Sequence, residues 1–306
     1  MISGAYIYRN YRPADLDGYA RLLGQSAPLT MAGQCASPRG VRESLSQPHF
    51  APERDLFLVE AGGQVVAFAR VTPEPAIGRV VLECFVQPEH RRRGLAKGLL
   101  GGVLGRAGEL GARTAHACVG QENTLARMAL PRLGFRRVRR YLELRLELDR
   151  LPLPAPPHDH YRRRHLPPGA GAGLARLQNR CFAGTWGYHP NTAADIAHLL
   201  DSGPFSPEDI IMLYDKDRPV GYCWTLVNEA GKAGTGRIHM MGVDPDFRGA
   251  RIGRTVLLTG LHHLKDRGMR VAELTVDSQN KSARALYRAI GFQAWTSSWW
   301  YEKGLD

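Results

Sequence analysis

Val86-Gln-Pro-Glu-His-Arg91-Arg92-Arg93-Gly94-Leu95-Ala96 and Val243-Asp-Pro-Asp-Phe-Arg248-Gly249-Ala250-Arg251-Ile252-Gly253 are two versions of one stretch, 157 residues apart. Each follows an apolar, β-branched run (Val80–Val86, Ile238–Val243) and precedes a helical pattern (Leu95–Leu110, Ile252–Arg267). Both therefore read as strand, basic glycine-containing turn, helix. A turn of this kind leaves the first N–H groups of the helix unpaired at the positive end of the helix dipole, which suits a pyrophosphate. Gly or Ala lets phosphate approach the backbone, and arginines outside the cradle add charge-assisted contacts. Neither copy is a Walker A loop or a full GxGxxG fingerprint.

The duplication extends in both directions. Asn123-Thr-Leu-Ala126-Arg-Met-Ala-Leu130-Pro-Arg-Leu-Gly134-Phe135 falls on Asn280-Lys-Ser-Ala283-Arg-Ala-Leu-Tyr287-Arg-Ala-Ile-Gly291-Phe292 at the same offset of 157. Upstream, Asp55 falls on Asp209 and Gly18 on Gly173, at offsets of 154 and 155. Two copies of one long unit result, not a solenoid. The Pro-rich stretch Arg150–Pro157 reads as a semi-rigid linker. The expected domains are 1–149 and 159–306, with 150–158 between them. Within a copy, a short strand (Ala5–Arg9) and a helix from near Ala14 precede a hairpin, Leu56–Glu60 with Val65–Val71, or Ile210–Tyr214 with Val220–Val227. A further strand (Ala115–Val119, Val271–Val276) follows the turn and its helix. The fold class expected is α/β (α+β), each copy a mixed, mostly antiparallel sheet flanked by helices.

These motifs together resemble the GNAT superfamily of N-acetyltransferases, over almost the whole chain. The family's coenzyme A turn, Gln/Arg-x-x-Gly-x-Gly/Ala, is matched by Arg91, Gly94 and Ala96. Arg248, Arg251 and Gly253 match it with Arg in place of the middle glycine. The later motif Asn-x-x-Ala-x-x-x-Tyr-x-x-x-Gly-Phe is complete in the second copy. The first has Leu130 where the Tyr belongs. Asn179–Pro190 and Val220–Thr225 look like the second half of mycothiol synthase-like tandem acetyltransferases. The resemblance implies acetyl-CoA as cosubstrate. It would be held by Met241, Gly242, Val243, Arg248 to Arg254, Asn280 and Ala283, and by Phe85, Val86, Arg91 to Ala96 and Asn123 in the first copy. A primary amine, on a small molecule or a peptide, would be the acceptor.

The family reaction needs a deprotonated amine and often an acid for the departing thiolate. Tyr287 resembles that acid. Many relatives carry a Glu as base at a position that counts here to Arg237, which cannot serve. Strand alternation puts His239 on the same face, and a His near neutrality is a competent base. Glu273 and Asp277 are further candidates. At an offset of 157 the first copy has Leu82 opposite His239, so its chemistry is expected to be degenerate. Trp186, Tyr188, Trp224, Trp295, Trp299, Trp300 and Tyr301 are candidate pocket residues, or core. The alternatives are an active first domain, or a non-catalytic module binding acyl-CoA or nucleic acid.

Composition fits these readings. The chain has 306 residues, 43% hydrophobic, with 41 basic and 29 acidic side chains giving +12. Of the basic residues 35 are Arg, which favours an anionic partner. The densest run, Arg136 to Arg140, reads as a solvated rim, so nucleic acid is not the expected partner. Cys35, Cys84, Cys118, Cys181 and Cys223 are scattered without metal spacing, and the last four read as reduced core residues. No signal-type start and no run of 18 apolar residues is present, so a cytoplasmic chain without metal is expected, monomeric with an internal pseudo-dimer or a homodimer.

Overall fold

The computed structural model describes residues 5–26, 38–150, 152–157, 160–202, 205–227 and 234–305; Cys35 and the linker positions 151 and 158 lie outside them. The first half of the chain carries β1 (Ile7–Asn10), α1 (Leu16–Ser26), α2 (Pro38–Leu45), α3 (Pro52–Asp55), β2 (Leu56–Ala61), β3 (Gln64–Glu74), β4 (Arg79–Val86), α4 (Leu95–Glu109), β5 (Thr114–Gly120), α5 (Thr124–Arg132) and β6 (Arg136–Glu147). The second carries β7 (Arg162–His165), α6 (Gly171–Phe182), α7 (Ala193–Ser202), β8 (Ile210–Asp215), β9 (Arg218–Val227), β10 (Thr235–Val243), α8 (Ile252–Asp266), β11 (Val271–Asp277), α9 (Lys281–Ile290) and β12 (Gln293–Gly304).

The compact units are not the two sequence halves. One comprises Met1–Arg140 with Ser298–Asp306, the other Tyr141–Ser297. In the first, β1 to β5 stand in chain order, and residues 298–304 of β12 pair antiparallel with β5, Trp299 opposite Val119. In the second, β7 to β11 stand in order, and residues 141–147 of β6 pair antiparallel with β11, Leu144 opposite Leu274. Each sheet thus takes its last strand from the other half of the chain. The division falls at residue 140, before the Pro-rich linker and not at it. Among the described residues of each unit only β4–β5 or β10–β11 is parallel; the other pairs are antiparallel.

Local sequence explains the elements. Gly62 and Gly63 both have positive φ, the backbone a tight hairpin turn between β2 and β3 requires. The stripe Ile252, Val256, Leu257, Leu261 and Leu264 of α8 is buried against Leu144, Leu146, Ile238 and Leu274 of the sheet. Each such side chain contributes about 1.5–3 kcal/mol of burial. The other face of that sheet packs Tyr222 and Trp224 against Leu174 and Leu177 of α6 and Ile196 of α7. Helix α8 passes so close over β9 that a Cβ on Gly260 would lie 2.2 Å from Cys223 Sγ. Only Cys181 and Cys223 of the described cysteines are buried; Cys84 is exposed and Cys118 intermediate, which corrects their reading as core.

Two features shape the site. The parallel ladders stop early. Strands β10 and β11 pair only from Thr235–Val271 to Ile238–Leu274, although they run on to Val243 and Asp277. Strands β4 and β5 pair only over Arg79–Val81 and Thr114–His116. A slot opens between the carboxyl ends of the parallel strands in each unit. Second, β10 has a bulge against β9 between Ile238 and Met240, whereas β4 pairs with β3 without a shift. Arg237, opposite Glu273, therefore corresponds to Val81, opposite His116, and Ile238 to Leu82. His239 is the extra residue and has no counterpart in the first unit. Leu82 is not its equivalent, because the offset falls from 157 to 156 across the bulge.

Candidate functional site

At the mouth of the slot in the second unit, the turn after β10 meets α8. The backbone N–H groups of Gly249, Ala250, Arg251, Ile252 and Gly253 have no acceptor among the described residues; the first bonded ones on either side are Arg248, to the Pro245 carbonyl, and Arg254, to the Arg251 carbonyl. Successive free N–H groups at a helix N-terminus form an anion cradle. Gly249 (φ +88°) and Arg251 (φ +58°) carry left-handed backbone, and a Cβ on Gly249 would meet nothing within 4 Å. The side chains of Arg251 and Arg254 have no ion pair or hydrogen bond among the described residues, so both cations remain available to an anion. Arg248 differs. Its Nη2 donates to the Cys181 carbonyl at 2.6 Å and its Nε to the Val243 carbonyl at 3.4 Å. Arg91 repeats the second contact on Val86 at 3.0 Å. These two arginines brace the turn on the strand end instead of adding charge to the cradle.

Several other expected binding residues also have structural duties. Asn280 and Asn123 cap α9 and α5, accepting from the Ala283 and Ala126 N–H groups at 3.1 Å. A Cβ on Gly242 would lie 2.8 Å from Cys181 Cβ, so packing alone demands glycine there. Met241 packs partly on the α8 core, and Phe85 and Leu95 are buried in the first unit. Gly253 touches the neighbouring helix: a Cβ on it would sit 3.5 Å from Leu286 Cδ2, bringing the first turn of α8 beside α9.

Tyr287 lies on α9 at 7% exposure, edge-on to Phe292 with ring centroids 5.9 Å apart. Burial pushes its phenol well above the ordinary value, so it is protonated at neutral pH. Its hydroxyl makes no hydrogen bond among the described residues. His239 is placed otherwise than expected. The bulge turns it away from the Met241 face, onto Phe205 (4.7 Å) and Trp224 (5.3 Å). Part of the ring is open to solvent, yet the crowding around it, with Arg237 adding a like charge, pushes its pKa down to about 4. The shift makes it a weaker base than an ordinary histidine. Glu273 is held by Arg145, through Nη2 at 2.5 Å and Nε at 3.0 Å.

The aromatic candidates do not form one pocket. Trp299, Trp300 and Tyr301 belong to the first unit, and Trp186, Tyr188, Trp224 and Trp295 to the second. Trp224 and Tyr301 are core, at 1% and 4% exposure. Trp186 lies tilted beside Tyr141 (6.3 Å), and Tyr188 donates to Asn179 at 2.8 Å. The Arg136–Arg140 run is more than a rim: Arg137 and Arg140 lie over the Trp299 ring at 4.0 and 5.1 Å, and Arg136 pairs with Glu302.

The description "Acetyltransferase (GNAT) family" fits residues 29–135 and 171–292, one match on each copy. The chain belongs to the GNAT family. A protein named mycothiol acetyltransferase from Thermobispora bispora is 33% identical over 297 residues, covering 91% of this chain and 96% of that one. Another of that name, from Geodermatophilus obscurus, is 30% identical and covers 95% and 96%. Among solved structures, a GCN5-related N-acetyltransferase from Sphaerobacter thermophilus has a TM-score of 0.71 at 24% identity, covering 98% and 96% of the two chains. A tandem GNAT protein from the clavulanic acid biosynthesis pathway has a TM-score of 0.71 at 19% identity, covering 99% of each. This chain is accordingly an acetyltransferase with two GNAT repeats in a mixed α/β fold. No helix among the described residues is long and apolar enough to cross a membrane, and no group of three His, Cys, Asp or Glu among them could hold a metal ion.

Two polar residues of the GNAT slot escaped the sequence reading. Glu143 and Arg145 stand on β6, in the first half of the chain, but their side chains join the second unit beside Thr275 and Glu273. Only the strand exchange reveals them.

Proposed function

We propose that this chain is an acetyl-CoA-dependent N-acetyltransferase whose chemistry takes place in the second unit. The observation that carries the reading is the run of unpaired N–H groups from Gly249 to Gly253, set at the mouth of a strand slot in the same unit as the unbonded Tyr287 hydroxyl. The cradle fits the pyrophosphate of acetyl-CoA, with Arg251 and Arg254 as its cations. The cosubstrate supplies an acetyl thioester. The amine nitrogen forms the new C–N bond, the C–S bond breaks, and its electron pair leaves on sulfur. Tyr287 gives its proton to that sulfur and is restored from solvent. A protonated phenol with no competing internal partner is suited to this step. The amine's surplus proton goes to solvent.

The first unit keeps a comparable cradle, with the N–H groups of Arg92 to Ala96 without acceptors among the described residues. It has Leu130 in place of the acid and no bulge in β4. In this reading it is a coenzyme-binding or scaffolding copy without turnover.

The test is acetyl-CoA turnover of the full chain with a panel of primary amines. Deacetylated mycothiol is the first acceptor to try, given the names of the relatives. Aminoglycosides, polyamines and peptide N-termini complete the panel. Thiol release with at least one amine, abolished by substitutions in α8's turn and unaffected by Gly94→Asp, is expected. No thiol release with any amine at saturating acetyl-CoA would overturn the proposal.

A further inference from the structure

Glu143 is 5% exposed, and its carboxylate accepts two hydrogen bonds, from Thr275 Oγ1 at 2.8 Å and from Arg237 Nη2 at 3.0 Å. A carboxylate offers about four lone-pair sites. Two acceptor positions therefore remain in a place where unused polar capacity is costly. Its level in the sheet matters. Glu143 stands opposite Thr275, one residue past the last rung of the parallel ladder, Ile238–Leu274. It is therefore level with the slot. Glu273 stands opposite Arg237, below the slot, and is occupied by Arg145.

The surroundings narrow the role. Arg237 starts at the Glu273 level but extends up to Thr275, with which it is also hydrogen bonded, and to Glu143. Its Nη1 is buried without a hydrogen bond; Glu273 Oε2 is 3.9 Å away. Arg237 thus pairs with the Glu143 carboxylate, and its guanidinium has only donors to offer a further partner. The opposite face of β6 and β11 is closed by the α8–α9 core, including Leu142, Leu144, Leu274, Val276 and Tyr287. The face carrying Glu143 is polar. An acceptor arriving there meets the slot from the side opposite Tyr287, which separates the incoming nitrogen from the group that protonates the leaving sulfur.

We propose that Glu143, a residue of the first half of the chain, binds the primary amine of the acceptor in the second unit by accepting N–H hydrogen bonds. This rests on the acetyltransferase reading above and adds the amine-holding residue to it. Thr275 and Arg237 are its positioning residues.

The test is steady-state kinetics of the full chain, varying acetyl-CoA and amine separately, with melting temperatures alongside. Glu143→Gln should lower kcat/KM for the amine at least about tenfold, as expected for a lost hydrogen bond to a charged group. The KM for acetyl-CoA should stay within about twofold, and Glu143→Asp should recover part of the loss. Thr275→Val, which keeps the carboxylate but frees one oxygen, should raise the amine KM by a smaller factor; it carries the test if the Gln variant does not fold. Wild-type kcat/KM for the amine in Glu143→Gln, or a loss shared equally by both substrates and matched by a fall in melting temperature, would overturn the assignment while leaving the enzyme reading intact. A wild-type chain without turnover on any amine would remove both.

Discussion

Gly94 and Arg251 hold the same left-handed backbone at the N-caps of α4 and α8, with φ of +80° and +58°. Two residues earlier the assignment is reversed: Arg92 has φ +60° and Gly249 +88°. Each turn needs positive φ at two positions and places its one glycine at a different one. The mismatch of Arg251 with the family's turn is thus met by Gly249, and neither turn bears two strained residues.

A non-glycine in this region costs about 1 kcal/mol or more. Gly249→Ala should therefore lower stability by about 1 kcal/mol, with no steric clash to add. Arg251→Gly should raise it by a smaller amount, because glycine loses more entropy on folding. Urea midpoints of the two variants check the opposite signs.

Tyr287→Phe should cut kcat by about 10²-fold or more if the phenol is the acid. Stability should be nearly unchanged, since the hydroxyl has no internal hydrogen bond to lose. Acetyl-CoA affinity, read by equilibrium titration, should stay within about twofold. A variant with full turnover would return Tyr287 to the core.

Packing against Phe205 and Trp224, with the Arg237 charge nearby, lowers the His239 pKa to about 4 in the folded chain, against about 6.5 when unfolded. The unfolded state binds more protons between these values, so stability rises with pH across that window and is flat above it. As pH falls from 6.5 toward 4 the wild type should lose stability that His239→Gln keeps. Melting temperatures at pH 7.5, 5.5 and 4.5 test this. The kcat/KM profile should show no inflection near 6.5 assignable to His239.

Cutting the chain in the Pro-rich linker should leave two pieces that each lack a strand. Residues 1–150 would lack the strand that pairs with Thr114–Gly120, and residues 151–306 the one that pairs with Val271–Asp277. Neither piece should show a cooperative thermal transition by circular dichroism. Co-expressed pieces should regain one. A cooperative transition in either piece alone would show that its sheet needs no borrowed strand.

The repeat motifs carried much of the fold in plain view. Arg91–Ala96 and Arg248–Gly253 mark the strand-to-helix turns because glycine and backbone needs are local. The hairpin at Gly62–Gly63 was legible for the same reason. Residue 239 was not. A bulge is one unpaired residue in a ladder, and strand alternation read straight through it puts His239 on the wrong face and pairs it with Leu82. Glu143 was invisible for a different reason. The linker is where composition changes, but a strand's sheet is chosen by pairing, and Arg136–Glu147 is long enough to serve two units. The dual use of Asn280 as cap and expected ligand shows that a motif position can be explained by helix termination alone.

The strand exchange also sets an order of events during synthesis. Thr114–Gly120 must wait for Ser298–Gly304, which leave the ribosome long after it. At about 5–20 residues per second the edge of the first sheet stays unpaired for roughly ten seconds or more. Such pairings raise contact order and slow folding. Through that interval β5 offers bare N–H and C=O groups to any other nascent chain. Aggregation on fast overexpression is the expected cost of closing each sheet with a strand from the other half.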